Sequence, residues 1–187
     1  MFYTSNMKLI IGLGNPEPRY DNTRHNVGFA VLDDFARENS LVFKPKSRFR
    51  AEIAESDGFV LAKPTTYYNS TGESVRALAD FYKVTPEDIL VVHDEMMLPF
   101  GTLRTRQGGG HAGNNGIKSI TAHLGPDTNR LRVGIWNERR NQIDDADFVL
   151  SKLSAHERKQ FKSQLSDTRA LIEAFIKDSF PTTTIVG

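Results

Sequence analysis

Cysteine is missing from all 187 positions of the sequence. This excludes disulfide bridges, thiol nucleophiles and cysteine-based zinc or iron–sulfur sites. Long apolar runs are missing as well, because no stretch approaches the about 20 residues that span a bilayer as a helix. The N-terminus lacks the basic and apolar regions of a secretory signal peptide. We therefore expect a cytoplasmic protein in which residues 1–6 form a short extension before the first strand.

The sequence also lacks an excess of charge of either sign. It has 24 Lys and Arg against 23 Asp and Glu, which gives a net charge of +1. Any nucleic-acid binding must therefore rest on local clusters of basic residues. Hydrophobic residues make up 39%, which is enough for one packed core. The length and the absence of repeats or linkers favour a single domain over residues 1–187.

Strand and helix patterns alternate along the chain. Residues 9–13 and 89–92 are apolar runs typical of buried strands. After Thr23, interpreted as an N-cap, apolar residues recur at helical spacing. Asp57-Gly58 lies between two short strand patterns and predicts a hairpin turn. This order predicts an α/β fold with a twisted mixed β-sheet covered by helices on both faces.

A histidine and a carboxylate are the strongest candidates for catalysis. His25 stands at the start of the first predicted helix, and a neutral imidazole there is suited to general-base chemistry. Asp94 follows the strand 89–92, where packing explains a carboxylate poorly. Such a carboxylate can orient an imidazole and stabilise the imidazolium that forms. Either residue taken alone could equally be structural or solvated.

Two glycine-rich segments resemble nucleotide-binding motifs only in part. Residues 12–16 follow the first strand, but Glu17 stands where a dinucleotide fingerprint needs a third glycine, and Pro16 and Pro18 prevent a helix from opening there. Residues 108–116 lack the Gly-Lys-Ser/Thr of a P-loop. They are interpreted as a flexible strip, which is either a plain loop or one that closes over a substrate.

Metal and serine chemistry have weaker support. Possible metal ligands stand at His93, Asp94, Glu95 and His111. No His-Glu-x-x-His motif or helical ligand pair accompanies them. Ser70 and Thr71 have no adjacent histidine, so a serine triad is not favoured either.

Basic residues alternate in three places and could form a phosphate-binding surface. The sets are Lys44, Lys46, Arg48 and Arg50, then Arg104 and Arg106, and finally Arg130 and Arg132. Alternating residues share one face of an extended segment. Each set alone is typical of a solvated face, but several around one cleft would bind phosphates without a high net charge.

The motifs, taken in order, resemble those of the bacterial-type peptidyl-tRNA hydrolases. The matching blocks over residues 8–150 are Gly-Leu-Gly-Asn-Pro (12–16), Tyr20, Thr-Arg-His-Asn (23–26), Pro-Thr-Thr-Tyr-Tyr-Asn (64–69), His-Asp-Glu (93–95), Gly-Gly-Gly-His (108–111), Asn-Gly (115–116) and Leu-Arg-Val-Gly-Ile (131–135). The resemblance implies hydrolysis of the ester between peptide and tRNA, which recycles tRNA during translation. It implies no metal or organic cofactor. From the resemblance we also expect a monomer that does not bind a membrane and needs no obligate protein partner.

The resemblance also assigns roles by motif position. It makes His25 the general base and Asp94 its acidic partner. Substrate-binding residues are implied at Asn15, Tyr20, Tyr68, Asn69 and Asn115, of which Asn69 or Asn115 would stabilise the oxyanion. Contacts to tRNA phosphates are implied at Arg104, Arg106 and Arg132.

Four departures from the family pattern affect the substrate contacts. Tyr68 stands where methionine is usual, and Asn114 replaces a common histidine. Met96-Met97 stands where another acid often follows His-Asp-Glu, and residues 136–139 replace a usual Gly-His-Pro-Gly. Two rival hypotheses stay open, namely an esterase or amidase for small acyl compounds and an RNA-binding module without catalysis.

Overall fold

Eight strands form one mixed sheet in the computed structural model, which describes residues 7–187. The strands are β1 (Lys8–Gly12), β2 (Lys44–Lys46), β3 (Ala51–Ser56), β4 (Phe59–Pro64), β5 (Ile89–Pro99), β6 (Thr102–Gln107), β7 (Asn129–Trp136) and β8 (Thr184–Val186). Their order across the sheet is β2-β3-β4-β1-β5-β7-β6-β8. The central strands β4, β1, β5 and β7 are parallel, and the outer pairs are antiparallel. The extension assigned to residues 1–6 lies outside the described residues.

Within the same range the chain forms five α-helices, four of which cover the two faces of the sheet. They are α1 (Val27–Glu38), α2 (Thr71–Tyr82), α3 (Asn115–Leu124), α4 (Asp145–Leu150) and α5 (Ala155–Ile176). Helices α1 and α5 pack on one face of the central strands, and α2 and α3 pack on the other. Because both faces are covered, residues 89–92 of β5 are all buried and apolar. The predicted α/β fold with a mixed sheet between helices is confirmed.

The predicted hairpin turn is confirmed as well. Asp57 and Gly58 form the two-residue turn between β3 and β4, with Gly58 at a φ of 84°. Helix α3 ends immediately before Gly125, whose φ is 83°. Among residues 7–187, none of the helices combines the length and apolar character that a bilayer crossing requires.

The prediction that Thr23 caps the first helix is wrong. Arg24–Asn26 forms a 3-10 turn before α1, and the hydroxyl of Thr23 donates to the carbonyl of Tyr20 at 2.7 Å. Asn26 occupies the position before α1, but its side chain makes no cap bond because it is held by the backbone of Asn15. The first helix therefore starts through a tertiary contact, which local cap signals do not reveal.

The alternating basic residues around β2 do not share one extended face. β2 ends at Lys46, and the 3-10 turn Ser47–Phe49 follows it. Arg50 then adopts a left-handed φ of 51°. The guanidinium of Arg48 lies 3.9 Å from the ring centroid of Phe81, so it covers an aromatic side chain. Asn69, nominated for substrate binding, lies inside the 3-10 turn Tyr68–Ser70 before α2.

The carboxyl end of β1 lies beside the middle of β5, and this edge of the sheet positions the candidate site. The two strands are parallel, with Gly12 opposite Val92. In open α/β sheets, ligands bind at this edge. Gly28, in the first turn of α1, packs so closely that a Cβ there would lie 2.4 Å from the carbonyl oxygen of Val92. This contact brings His25, just before α1, beside Asp94. Asp94 lies within β5 and does not follow it, because the strand continues to Pro99, beyond the predicted residues 89–92.

Candidate active site

His25 and Asp94 form a hydrogen-bonded pair. Nδ1 of His25 lies 2.8 Å from Oδ2 of Asp94, although the residues are 69 positions apart. Asp94 is buried on β5, whereas the side chain of His25 is 16% exposed. Because an ionised carboxylate only accepts hydrogen bonds, Nδ1 donates, and in the neutral form of the ring the lone pair is then on Nε2. The fold thus brings together the two residues nominated for catalysis.

The other oxygen of Asp94 is held by two further donors. The hydroxyl of Tyr68 donates to Oδ1 at 2.9 Å, and Nδ2 of Asn114 donates to it at 3.3 Å. Burial acts to raise the pKa of Asp94, but the charge and hydrogen bond of His25, together with His93 and the hydrogen bond from Tyr68, hold the pKa below its ordinary value. Burial, followed by the charge of Asp94, raises the pKa of Tyr68 well above its ordinary value. The phenol therefore stays protonated and donates.

A cavity of about 540 Å³ opens beside this pair. His25, Asp94 and Asn115 contribute polar groups to its wall. Its apolar lining comprises Met96, Met97, Ala146, Val149 and Leu150. Asn115 is the first residue of α3, where the free backbone N–H groups of a helix start favour negative charge. An imidazole, an amide side chain and a helix N-terminus thus face one cavity, an arrangement that can activate water and stabilise an oxyanion.

Three other residues nominated for substrate binding lie away from this cavity. Asn15 lines a second cavity of about 530 Å³ together with Asn26. The Asn15 N–H donates to Oδ1 of Asn26, and Nδ2 of Asn26 donates to the Asn15 carbonyl, both at 2.9 Å. Asn69 is exposed, and Tyr20 is half-buried with the guanidinium of Arg19 4.7 Å above its ring. Neither Asn69 nor Tyr20 belongs to the wall of either cavity.

Four arginines lie side by side on one face of β6 and β7. Arg104 stands opposite Arg132, and Arg106 stands opposite Arg130, in antiparallel register. Residues directly opposite in such a pair share a face. Nη2 and Nε of Arg132 donate to Oε2 of Glu95 at 2.9 and 3.1 Å. Burial and then repulsion by its arginine neighbours lower the pKa of Arg130 to about 10.

This arginine group borders the cavity that holds His25. Arg106, Arg130 and Arg132 line a narrow crevice beside the glycine-rich loop. Glu95 and Ala112 line both this crevice and the larger cavity. A phosphate on the arginines and an ester at His25 can therefore belong to one extended substrate.

The candidate metal ligands do not gather into a metal site. His93 is buried, and its Nδ1 lies 2.7 Å from the backbone carbonyl of Asp94. Burial lowers the pKa of His93 to about 4, so this ring is neutral near pH 7. In the described part of the chain, no three His, Asp or Glu side chains are grouped so that they could hold a metal ion. The geometry therefore gives the metal interpretation of residues 93–95 and His111 no support.

Comparison with known proteins identifies the family of this chain. The family model described as "Peptidyl-tRNA hydrolase" matches residues 9–185. The chain belongs to the peptidyl-tRNA hydrolase family. Relatives of that name from Aliarcobacter butzleri and Corynebacterium efficiens are each 42% identical over 90% of this chain, covering 91% and 96% of their own lengths. A crystal structure of the peptidyl-tRNA hydrolase from Acinetobacter baumannii, 32% identical, has a TM-score of 0.85 and covers 95% of this chain and 92% of that one.

Three residues at the candidate site are not among those to which the resemblance assigned roles. Asn114 precedes α3 and contacts Asp94, and its position before a helix was the available signal. Arg130 joins the arginine group, and its alternation with Arg132 had made it a candidate only for a general phosphate-binding surface. Asn26 fixes the loop at Asn15 through side-chain bonds that no local pattern reveals.

Proposed function

We propose that His25, oriented by Asp94, activates the water by which this chain hydrolyses peptidyl-tRNA. The reaction itself follows from the family, whose members hydrolyse peptidyl-tRNA and release tRNA. The observation that supports the residue assignment is the 2.8 Å contact between His25 Nδ1 and Asp94 Oδ2. That contact uses one ring nitrogen and leaves Nε2 for a water in the adjoining cavity.

In the proposed mechanism, Nε2 of His25 takes a proton from water as the oxygen attacks the ester carbonyl. Asp94 stabilises the imidazolium that forms. The tetrahedral intermediate then collapses, and its ribose oxygen leaves with the proton that His25 returns. A ribose hydroxyl is a better leaving group than an amine, so no serine or cysteine nucleophile is needed.

We assign the oxyanion donor to Asn115 in preference to Asn69. Asn115 lines the cavity that His25 lines, and it begins α3, so its side chain and the helix N-terminus support the same charge. Asn69 is exposed outside that wall. Asn15, Tyr20 and Asn69 remain proposed contacts to the more distant parts of the peptidyl-tRNA.

We further propose that Arg104, Arg106 and Arg132 bind phosphates of the tRNA. Their alignment across β6 and β7 gives a local positive surface in a chain with a net charge of only +1. Phosphate contacts carry no sequence information, so many different tRNAs should be accepted. The amides are proposed to hold the peptide backbone, and peptide sequence should therefore matter little.

Five further features complete the proposal. The chain acts as a monomer, without an obligate protein partner, and it is located in the cytoplasm, where translation takes place. Residues 1–187 form one domain. Hydrolysis needs no metal, because the proposed base and oxyanion donors come from the protein. Sedimentation of the purified protein tests the oligomeric state directly.

The test is the release of free tRNA from a peptidyl-tRNA with a blocked N-terminus, measured in the presence of EDTA. Wild type should release tRNA, and His25→Ala and His25→Asn should each lose at least about 10²-fold in kcat. Circular dichroism of each variant serves as the folding control. A folded His25→Ala protein that keeps most of its activity would overturn the base assignment. Hydrolysis that stops in EDTA would overturn the metal-free mechanism.

A further inference from the structure

Tyr68 and Asn114 both contact the pair of His25 and Asp94, and the proposed chemical steps use neither side chain. By resemblance, the family usually carries methionine and histidine at these two positions. In this chain the two side chains also contact each other, since Nδ2 of Asn114 donates to the Tyr68 hydroxyl at 3.1 Å. The two departures from the family pattern therefore form one connected group around Asp94.

Tyr68 contacts both members of the pair. Its hydroxyl donates to Oδ1 of Asp94 at 2.9 Å. Its ring stacks on the imidazole of His25, with ring centroids 3.7 Å apart and an interplanar angle of 20°. A methionine could fill this space, but it could neither donate a hydrogen bond nor present an aromatic face to an imidazolium.

The amide of Asn114 is oriented by the start of α3. Its Oδ1 accepts the backbone N–H of Ile117 at 3.0 Å, as an N-cap does. Nδ2 must then point the other way, towards the Tyr68 hydroxyl and towards Oδ1 of Asp94 at 3.3 Å. The helix cap thus fixes a donor on the carboxylate.

We propose that Tyr68 and Asn114 are positioning residues, which hold the Asp94 carboxylate against Nδ1 of His25 and set the pH range in which His25 acts as the base. This inference rests on the role of His25 proposed above. Three donors share the carboxylate, namely His25 on Oδ2 and Tyr68 and Asn114 on Oδ1. With both oxygens engaged, the carboxylate cannot rotate away from the imidazole.

The direction of the effect follows from the shared carboxylate. Hydrogen bonds from Tyr68 and Asn114 stabilise the charge of Asp94 and so weaken its pull on a proton at His25. Removing the Tyr68 hydroxyl should strengthen that pull and keep His25 protonated to a higher pH. The acidic limb of the pH profile of kcat/KM should then move upward.

Other charged groups near the pair are already balanced by partners. In the wall of the cavity, Glu95 pairs with Arg132 of the neighbouring crevice at 2.9 Å, and Arg140 pairs with Asp145 at 3.1 Å. Outside the cavity wall, Arg24 pairs with Glu157. His93 has a pKa of about 4, so it is neutral over the pH range of the experiment. None of these groups donates to Asp94 Oδ1. The acidic limb of the pH profile of kcat/KM should therefore respond to the contacts of Tyr68 and Asn114.

The experiment measures kcat/KM for peptidyl-tRNA from about pH 5 to about pH 9 for Tyr68→Phe, Asn114→Ser and the double variant. Serine keeps a cap oxygen for α3 but has no amide donor. Tyr82→Phe is the matched control, because it removes a phenol hydroxyl that donates to Glu55 at 2.5 Å, outside this cavity. A second readout is the NMR resonance of the His25 Nδ1 proton, which needs no turnover.

We expect Tyr68→Phe to shift the acidic limb upward by roughly 0.5–1 pH unit and to lower plateau kcat about 3- to 10-fold. The Nδ1 resonance should shift as well, whereas Tyr82→Phe should leave both unchanged. The double variant should deviate from the sum of the single effects, because the two donors share one acceptor. Tyr68→Met should fold and lose more of its plateau kcat than Tyr68→Phe, since it also removes the stacked ring.

Two results would overturn the proposal. One is a Tyr68→Phe profile that superimposes on wild type. The other is a loss of kcat/KM that is equal at every pH, together with an unchanged His25 Nδ1 resonance. That result would indicate a structural role only. Failure of the base assignment is recognised separately, by an active His25→Ala protein. In that case the resonance alone still decides whether Tyr68 and Asn114 hold the pair.

Discussion

The guanidinium of Arg24 lies 2.9 Å from Oε1 of Glu157, and this buried ion pair joins the residue before His25 to the first turn of α5. Glu157 also accepts the backbone N–H of Ser154 at 2.8 Å, which completes the capping box of α5. Nδ2 of Asn137 donates to the same carboxylate at 2.7 Å. One buried carboxylate therefore fixes the turn that carries His25, the start of α5 and the segment after β7.

Breaking this pair should destabilise the whole protein. Glu157→Gln keeps the shape of the side chain but leaves the cation of Arg24 buried without a counter-charge, which should cost about 3–5 kcal/mol of unfolding free energy. Urea denaturation measures this change. Asp80→Asn is the control, because it removes the exposed pair between Arg76 and Asp80, which solvent screens, and should cost far less. Equal losses in both variants would contradict a special role for the buried pair.

Gly28→Ala should damage both stability and catalysis. The added Cβ would lie 2.4 Å from the carbonyl oxygen of Val92 and 2.6 Å from the backbone of Leu13, so α1 must move away from the sheet. We expect a loss of about 1–3 kcal/mol in urea denaturation. A displacement of His25 by about 1 Å could lower kcat about 10²-fold. Gly110→Ala has open space around it and should leave the unfolding free energy unchanged; wild-type behaviour of Gly28→Ala would disprove the close contact.

Arg106→Ala should weaken binding of peptidyl-tRNA and reduce its dependence on salt. Each phosphate contact contributes about 0.7–0.9 to the slope of log K against log salt concentration, so the slope should fall by about that amount. Binding measured at several salt concentrations gives the slope. Lys177→Ala removes the same charge from an exposed side chain at the end of α5 and should leave the slope unchanged. An unaltered slope in Arg106→Ala would argue against a phosphate contact there.

His93 should make the protein less stable in mild acid. Burial lowers its folded-state pKa to about 4 from the ordinary 6.5. Between these values the unfolded chain binds a proton that the folded protein does not, so stability is retained above about pH 6.5 and lost as the pH falls towards 4. His93→Gln should reduce the slope of unfolding free energy against pH by up to about 1.4 kcal/mol per unit. Urea denaturation across this range is the measurement, and parallel curves for the two proteins would refute the assignment.

Local sequence patterns were sufficient for the framework of the fold. Residues 9–13 and 89–92 predicted buried strands, because strands covered on both faces need continuous apolar runs. Asp57-Gly58 predicted the hairpin turn, because its geometry depends on those two residues alone. Thr23 was wrongly interpreted as a cap because Asn26 and Asn15, 11 positions apart, decide where α1 begins.

The sequence by itself determined the central strands, the helices that cover them and the identities of His25 and Asp94 as candidates. Only the tertiary structure decided that these two side chains meet, that Tyr68 and Asn114 hold the second carboxylate oxygen, and that the arginines of β6 and β7 align. The physical reason is the range of the forces involved. Apolar periodicity and turn chemistry act within a few residues, whereas a hydrogen bond between side chains depends on strand register and helix packing set by the whole chain.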